Sequence, residues 1–433
     1  MVTNYFRAFY YLYSLLKSAY WDEERLSKYQ NNKIRNIIRY SYDNVPYYHK
    51  IMKNNNVHPD DIRSKEDLNK IPIIRKEDIR KNYDDMISLE YKDKRLKQIS
   101  TSGSTGKPLF LNITQSEDEF RKAKLLRAHI VLGQKPKDRW VIITSPHHFG
   151  STTGIQRYVN FFIPRSASVF DDVSTQLSNI RQLRPDVLDG YSSSLYILAK
   201  EMEGKTIPGI HPKFLIGGAE LIDLTSRRFI EDVFEVPFYD QYACIEFERV
   251  AWECKHRVGY HMDCDSLVVE FINNNEIASP GESGEIICTS LFNYAMPLIR
   301  YSIGDMGIQS DEKCTCGRTL PLMKVVEGRT DSLLILPNGK LVSPRSFTVA
   351  MSSFEFYHMF DQFRIVQKKI NLFHIYLKLK NGLLDRGNIS RRLVDYLRNT
   401  LLLDVDDISI EVEFVEDIPL DKSGKLMMVI SEL

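Results

Sequence analysis

The chain has 433 residues, too many for one ordinary hydrophobic core, so two or three domains are expected. Hydrophobic residues make up 43% and charged residues 27%, the balance of a soluble globular protein. With 58 lysines and arginines against 57 acids, the net charge of +1 lacks the basic excess of a general nucleic-acid binder.

The first 80 residues read as a helical N-terminal part. Tyr5, Phe6, Phe9, Tyr10, Tyr11, Tyr13, Tyr20 and Trp21 make the opening segment unusually aromatic. A helix lying on a membrane surface would need more basic residues to hold anionic lipid. Packing on the main domain or on a partner subunit is therefore expected, and a homodimer stays open. Ile34, Ile37 and Ile38 fall at helical spacing ahead of Val45-Pro46, which predicts a helix over 23–42. No apolar run reaches the ~18 residues that span a bilayer. The start also lacks the charged head, apolar core and cleavage site of a signal peptide, so a cytoplasmic location is expected.

The run Ser100-Thr101-Ser102-Gly103-Ser104-Thr105-Gly106-Lys107-Pro108 carries Ser, Thr or Gly at seven of nine positions. Small hydroxyls and a flexible backbone can wrap phosphate oxygens with short donors, and Lys107 adds a mobile cation. This is not a Walker A loop, which ends in Gly-Lys-Ser/Thr entering a helix. Here Pro108 and Leu109-Phe110-Leu111 follow, a turn into a strand.

From Arg139 the texture is strand, loop, helix. Trp140-Val141-Ile142-Ile143 is a buried-strand candidate. Phe214-Leu215-Ile216 runs into a double glycine, then a helix from about Asp223 to Phe234, then Val236-Pro237-Phe238-Tyr239. That rhythm predicts an α/β fold, with mixed sheets covered by helices in a large N-terminal domain. Ligands of such sheets bind at the carboxyl ends of the strands. After Asp331, Ile375, Leu377 and Leu379 alternate with polar residues. Ile389, Leu393, Val394 and Leu397 then show helical spacing, and Ile408, Ile410, Val412 and Phe414 alternate again. This predicts a small α+β domain over 332–433, separate from a main domain over 1–331.

The Ser/Gly run resembles the phosphate loop of the adenylate-forming superfamily, which includes the acyl-CoA synthetases. Further stretches follow in that family's order. Gly217-Gly218-Ala219-Glu220 resembles its adenine-side turn, and Tyr242-Ala243-Cys244-Ile245-Glu246 its Tyr-Gly-x-Ser/Thr-Glu element. Arg300-Tyr301-Ser302-Ile303-Gly304-Asp305 resembles the ribose motif, and Gly328-Arg329-Thr330-Asp331 the hinge motif. Ile418-Pro419-Leu420-Asp421-Lys422-Ser423-Gly424-Lys425 resembles the terminal catalytic-lysine motif. Asn44-Val45-Pro46-Tyr47-Tyr48 and Leu68-Asn69-Lys70-Ile71-Pro72-Ile73-Ile74-Arg75-Lys76 are similar to the phenylacetate-CoA ligase branch, which also holds capsular polysaccharide biosynthesis proteins. From the residues alone these two segments read as a packed loop and a short extended connection.

The resemblance implies an ATP-dependent ligase. The substrate carboxylate attacks the α-phosphate of ATP and expels pyrophosphate, so the protein aligns groups and neutralises charge. Ser102, Gly103, Ser104, Thr105, Gly106 and Lys107 would hold the leaving phosphates. Gly218, Ala219 and Glu220 would lie on the adenine side, and Tyr242 would stack on adenine. Asp305 would accept from both ribose hydroxyls, and Arg329, in the hinge motif beside Asp331 and Ser332, would also bind the nucleotide. Glu246 would bind Mg²⁺, a hard cation suited to carboxylate and phosphate oxygens. Lys425, carried by the mobile small domain, would bridge carboxylate and α-phosphate. Two departures touch the second motif, where Ala243 replaces the usual glycine and Cys244 stands near the usual hydroxyl.

Six cysteines are present, and in a cytoplasmic chain they are not a disulfide framework. Cys314-Thr315-Cys316-Gly317-Arg318 places two thiols one residue apart at a glycine turn. Cys254, His256, His261 and Cys264 cluster upstream. Four soft ligands from these groups would make a closed tetrahedral structural zinc site. Cys254, His261, Cys314 and Cys316 are the expected set, with His256 the alternative fourth ligand. Reduced buried thiols are the other reading, because Cys-x-Cys is tighter than standard finger spacing. Members of the resembled branch can carry such a zinc site.

The leading expectation is an AMP-forming acid–thiol ligase using ATP, Mg²⁺ and coenzyme A, with an aryl or related organic acid as substrate. Pro146-His147-His148-Phe149-Gly150 and Gly190-Tyr191-Ser192 would help line the acyl pocket. A second expectation keeps adenylation but sends the acyl group to an amine or a carrier-protein arm. A third is a non-catalytic nucleotide-binding protein.

Overall fold

A computed structural model describes residues 3–100, 109–144, 161–205, 208–329, 334–338, 341–342, 347, 350–351, 353–380, 385–401, 408–419 and 427–433. Helices α1 (Tyr5–Ser18), α2 (Glu23–Asn44) and α3 (Pro46–Asn54) open the chain. The short helix α4 (Lys76–Lys81) follows, then β1 (Lys97–Ser100), β2 (Phe110–Ile113) and α5 (Gln115–Leu132). Next come β3 (Trp140–Thr144), β4 (Pro164–Ser168), α6 (Val173–Leu183), β5 (Val187–Tyr191), α7 (Ser192–Met202), β6 (Phe214–Gly218) and α8 (Leu224–Phe234). Strands β7 (Phe238–Cys244), β8 (Glu248–Glu253), β9 (Tyr260–Met262) and β10 (Leu267–Asn273) precede β11 (Glu276–Ile277), β12 (Ser283–Ser290), β13 (Tyr301–Ser310) and β14 (Leu322–Arg329). The C-terminal stretch adds β15 (Leu334–Ile335), β16 (Leu341–Val342), β17 (Phe360–Lys369), β18 (Leu372–Leu379), α9 (Arg386–Thr400), β19 (Ser409–Phe414) and β20 (Val429–Ser431).

The chain divides into two compact units. The first comprises Met1–Lys137, Thr152–Phe162 and Tyr239–Val326. Its strands follow the order β11-β10-β12-β13-β14-β9-β8-β7. Along β12 and β13 the ladder is interrupted, with Ile287 opposite Ser302 and Glu285 opposite Met306. Four steps along β13 thus face two along β12, a bulge that contains Gly304 at φ +85°, a backbone few other residues adopt. Among the described residues strands β1 and β2 pair only with each other, with Ser100 opposite Phe110. Helix α5 starts at Thr114, whose hydroxyl accepts from the Glu117 N–H while Glu117 accepts from the Thr114 N–H.

Helix α1 buries Leu12 and Leu15 against Phe120 and Ala123 of α5, the packing on the main body that its pattern allowed. Phe6, Tyr10 and Tyr13 stay exposed. Val45-Pro46-Tyr47-Tyr48, expected as a packed loop, instead starts α3, where Pro46 fills a first-turn position that has no use for an N–H. The Tyr48 hydroxyl donates to the Pro297 carbonyl and accepts from the Ile299 N–H. A buried ionic cluster joins α5 to the strands. Lys124, Arg127 and Arg249 surround Asp263, with Asp265 and the Trp252 indole completing it.

The second unit comprises Asp138–Ser151, Ile163–Phe238 and Glu327–Leu433. Its strands β6-β5-β3-β4 are parallel, and Val141, Ile143, Leu188, Leu215 and Ile230 form the core between them and the helices. The C-terminal sheet runs β19-β18-β17-β20, antiparallel at its centre and parallel at both edges. Phe373, Ile375 and Leu377 of β18 pack on Leu393 and Leu397 of α9, as the alternation predicted. The architecture is the expected α/β one. The domain boundary at 331 lies outside the described residues. Among the described residues, no helix is long and apolar enough to cross a membrane.

Candidate functional site

At the end of β6, Gly217 faces the Phe238 ring so closely that a Cβ would lie 2.0 Å from its Cζ. Ala219 takes a left-handed backbone, φ +65°, which turns the chain sharply after the double glycine. The next residue, Glu220, accepts the Ser193 N–H at 2.9 Å and so caps α7, whose own N-cap Tyr191 gives no side-chain cap. Gly190, Tyr191 and Ser192 form the β5–α7 junction.

Four motif residues, from two distant stretches of sequence, meet in pairs along β13. The Tyr301 hydroxyl donates to Glu246 Oε1 at 2.8 Å, and Glu246 is buried. Four residues further on, Asp305 Oδ2 accepts the Tyr242 hydroxyl at 2.7 Å. Burial and the Asp305 charge push the Tyr242 phenol well above its ordinary range, so it stays a donor. Cys244 is likewise pushed up, by burial and then by Glu246, and stays a neutral thiol. Arg300 takes φ +50° and reaches the Ile71 carbonyl at 2.8 Å and the Glu270 carboxylate at 3.1 Å. The segment around Ile71 is therefore a brace for the start of β13, as is Tyr48. Neither segment carried a chemical role in the sequence.

The loop residues Ser102, Gly103, Ser104, Thr105, Gly106 and Lys107, the stretch 146–150, Thr330, Asp331 and Lys425 lie outside the described residues. Arg329 closes β14, and its side chain also lies outside them.

Cys254, His261, Cys314 and Cys316 bring four ligand atoms within 4.8 Å of one another. Cys254 Sγ lies 3.6 Å from Cys314 Sγ, and Cys316 Sγ lies 3.4 Å from His261 Nε2. Thiolates at the ~2.3 Å zinc–sulfur distance would stand about 3.8 Å apart on a tetrahedron, so the donor set fits a closed zinc site. The other His261 nitrogen faces the Leu320 carbonyl at 3.4 Å, which orients the ring. His256, the alternative ligand, instead bonds the Thr315 hydroxyl through Nδ1 at 2.8 Å. The set links the end of β8, β9 and the loop that leads to β14.

The sequence did not single out Tyr301, although it lies inside the ribose motif, nor two cations of α5. Arg121 donates to the Ile245 and Glu246 carbonyls, and Lys124 to the Phe247 carbonyl. A helix with charges at i and i+3 gives no sign in sequence of what it grips.

The family described as CapK C-terminal domain matches residues 334–432. A phenylacetate-coenzyme A ligase of Thermus thermophilus is 27% identical over 330 residues, 72% of each chain. Protein CapK of Staphylococcus aureus is 24% identical over 439 aligned positions, covering 94% of this chain and 90% of its own. Among solved structures, a 2-hydroxyisobutyryl-CoA ligase in its postadenylation state with an acyl-AMP has TM-score 0.78 at 16% identity, covering 95% of this chain and 91% of its own. That last likeness speaks to the fold. Over most of its length the chain is thus similar to the phenylacetate-CoA ligases and to CapK, and its fold is that of the acyl-CoA ligases.

Proposed function

We propose that the chain joins a carboxylic acid to the thiol of coenzyme A in two half-reactions at the expense of ATP. In the first, a carboxylate oxygen bonds to the α-phosphorus while the bond to the pyrophosphate leaving group breaks. In the second, the thiol sulfur bonds to the acyl carbon and AMP leaves with the bonding pair. The observation that carries this reading is the pairing of motif residues, Tyr242 with Asp305 and Glu246 with Tyr301, on either side of one strand segment.

Tyr242, fixed through its hydroxyl, offers a ring face for adenine, and Asp305 offers carboxylate oxygens to the ribose. Gly218, Ala219 and Glu220 take the adenine side. Glu246 would hold Mg²⁺, and its buried carboxylate is the hard donor that ion requires; the ion neutralises phosphate charge. Ser102 to Lys107 and Lys425 keep their assigned roles, phosphate binding and the bridge to the α-phosphate. The small domain over 332–433 delivers Lys425 and withdraws it about the 329–332 hinge. Zinc at the Cys/His set is structural, since all four protein ligands are already supplied. The substrate is an aryl or related organic acid, and the place of work is the cytoplasm, where ATP and coenzyme A are available.

A second reading keeps adenylation and passes the acyl group to an amine or a carrier-protein arm instead. ATP–pyrophosphate exchange across aryl, aliphatic and amino acids tests the first step. Exchange with one acid class supports adenylation and names the substrate, and coenzyme A then tests the acceptor. Absence of exchange together with absence of ATP binding would overturn the assignment.

A further inference from the structure

We propose that Arg121 and Lys124 of α5 are positioning residues that set the aim of the Glu246 carboxylate. The inference rests on the reading of Glu246 as the Mg²⁺ ligand. Strands β7 and β8 pair up to Cys244 opposite Glu248, so residues 245–247 form the connecting loop and their carbonyls cannot join the ladder. All three carbonyls are taken from one side by one helix. Arg121 Nη2 reaches Ile245 O at 2.7 Å, Arg121 Nη1 reaches Glu246 O at 3.2 Å, and Lys124 Nζ reaches Phe247 O at 3.1 Å. Arg121 also pairs with the Glu248 carboxylate at 2.9 Å, and Glu248 holds a left-handed backbone, φ +66°, that a residue with a side chain seldom adopts.

With the carbonyls fixed toward α5, the peptide planes are fixed, and so is the direction in which the Glu246 side chain leaves the backbone. The Tyr301 hydroxyl then fixes its far end. Lys124 is itself held by Asp263 at 3.8 Å in the buried ionic cluster, so the grip does not depend on an exposed, mobile cation. The same helix begins directly after β2.

The test is calorimetric ATP binding to the full chain with and without Mg²⁺, for the parent, Glu246→Gln, Arg121→Ala, Arg121→Lys and Lys124→Met. Mg²⁺ should tighten ATP binding to the parent, and Glu246→Gln should abolish that gain. Arg121→Ala and Lys124→Met should each reduce the gain about tenfold, the usual cost of removing an outer partner of a metal ligand. Their binding of ATP without Mg²⁺ should stay at the parent level, which a merely loosened fold would not preserve. Arg121→Lys, with one point donor in place of a fork, should recover only part of the gain, and it carries the test if Lys124→Met does not fold. A full Mg²⁺ gain in Arg121→Ala and Arg121→Lys overturns the positioning role. A full gain in Glu246→Gln overturns the reading of Glu246 itself, a separate and recognisable failure.

Discussion

The Tyr242 hydroxyl lies 2.7 Å from Asp305 Oδ2, across 63 residues of sequence. The bond makes one residue an orienting group for the other: it fixes the ring of Tyr242 and occupies one carboxylate oxygen of Asp305. Tyr242→Phe keeps the ring and loses the bond. A hydrogen bond to a charged acceptor contributes about 1.5–3 kcal/mol, so ATP affinity should fall by about tenfold or more. Isothermal calorimetry checks this, and unchanged affinity would show that the phenol has no part in nucleotide binding.

Lys425→Ala should reduce ATP–pyrophosphate exchange by about 10²–10³, the usual cost of losing one donor to developing charge. Transfer from a preformed acyl-adenylate to the thiol should continue, since that step needs the lysine withdrawn. Exchange at the parent rate would move the catalytic lysine elsewhere.

The Cys/His set should hold one equivalent of zinc, measurable by plasma emission on the purified protein. Cys314→Ser and His261→Ala should lose it and melt earlier, whereas His256→Ala should keep it, because His256 faces Thr315. The six strand residues of β8 span about 20 Å between the Glu246 loop and Cys254, too far for this metal to touch the phosphates. Chelation should therefore affect stability before chemistry.

Lys200 donates to the Phe360 carbonyl at 2.8 Å, and burial, then the nearby Lys380, lowers its pKa from 10.5 to about 8 against the pull of Asp361 and Glu203. Between those values the unfolded chain binds more protons than the folded one, so the group's contribution to stability rises with pH from about 8 to 10.5. Lys200→Met should thus gain most on the parent below pH 8, and its advantage should shrink toward pH 10.5. Urea midpoints measured across that range decide it, and a constant difference would refute the shift.

Much of the fold is legible in the sequence. Helices α2 and α9 and strand β18 follow from periodicity, because each buries one regular face, and strands β3 and β6 from short apolar runs that are buried almost throughout. The convergence of Cys254, His261, Cys314 and Cys316 was expected, with His256 left open as the alternative to His261. That choice depends on His261 standing opposite Trp252 in the β8–β9 ladder while His256 falls in the turn, a register no spacing rule contains. Arg121, Lys124 and Tyr48 were not legible for a common reason: each binds backbone carbonyls, and a carbonyl has no sequence identity. Tyr301 was hidden differently: it lies inside a motif of which only the aspartate was given a role.

The interruption between β12 and β13 bears on how this site can change. A regular ladder there would make more backbone bonds and would set Asp305 by simple alternation from Tyr301. The bulge gives up that regularity at the point where Asp305 turns to meet Tyr242, and it leans on Gly304 to do so. Chain length between the two motif residues is therefore as restricted as their identity. A deletion that restored ideal pairing would leave a more regular sheet, with its aspartate aimed away from the tyrosine it serves.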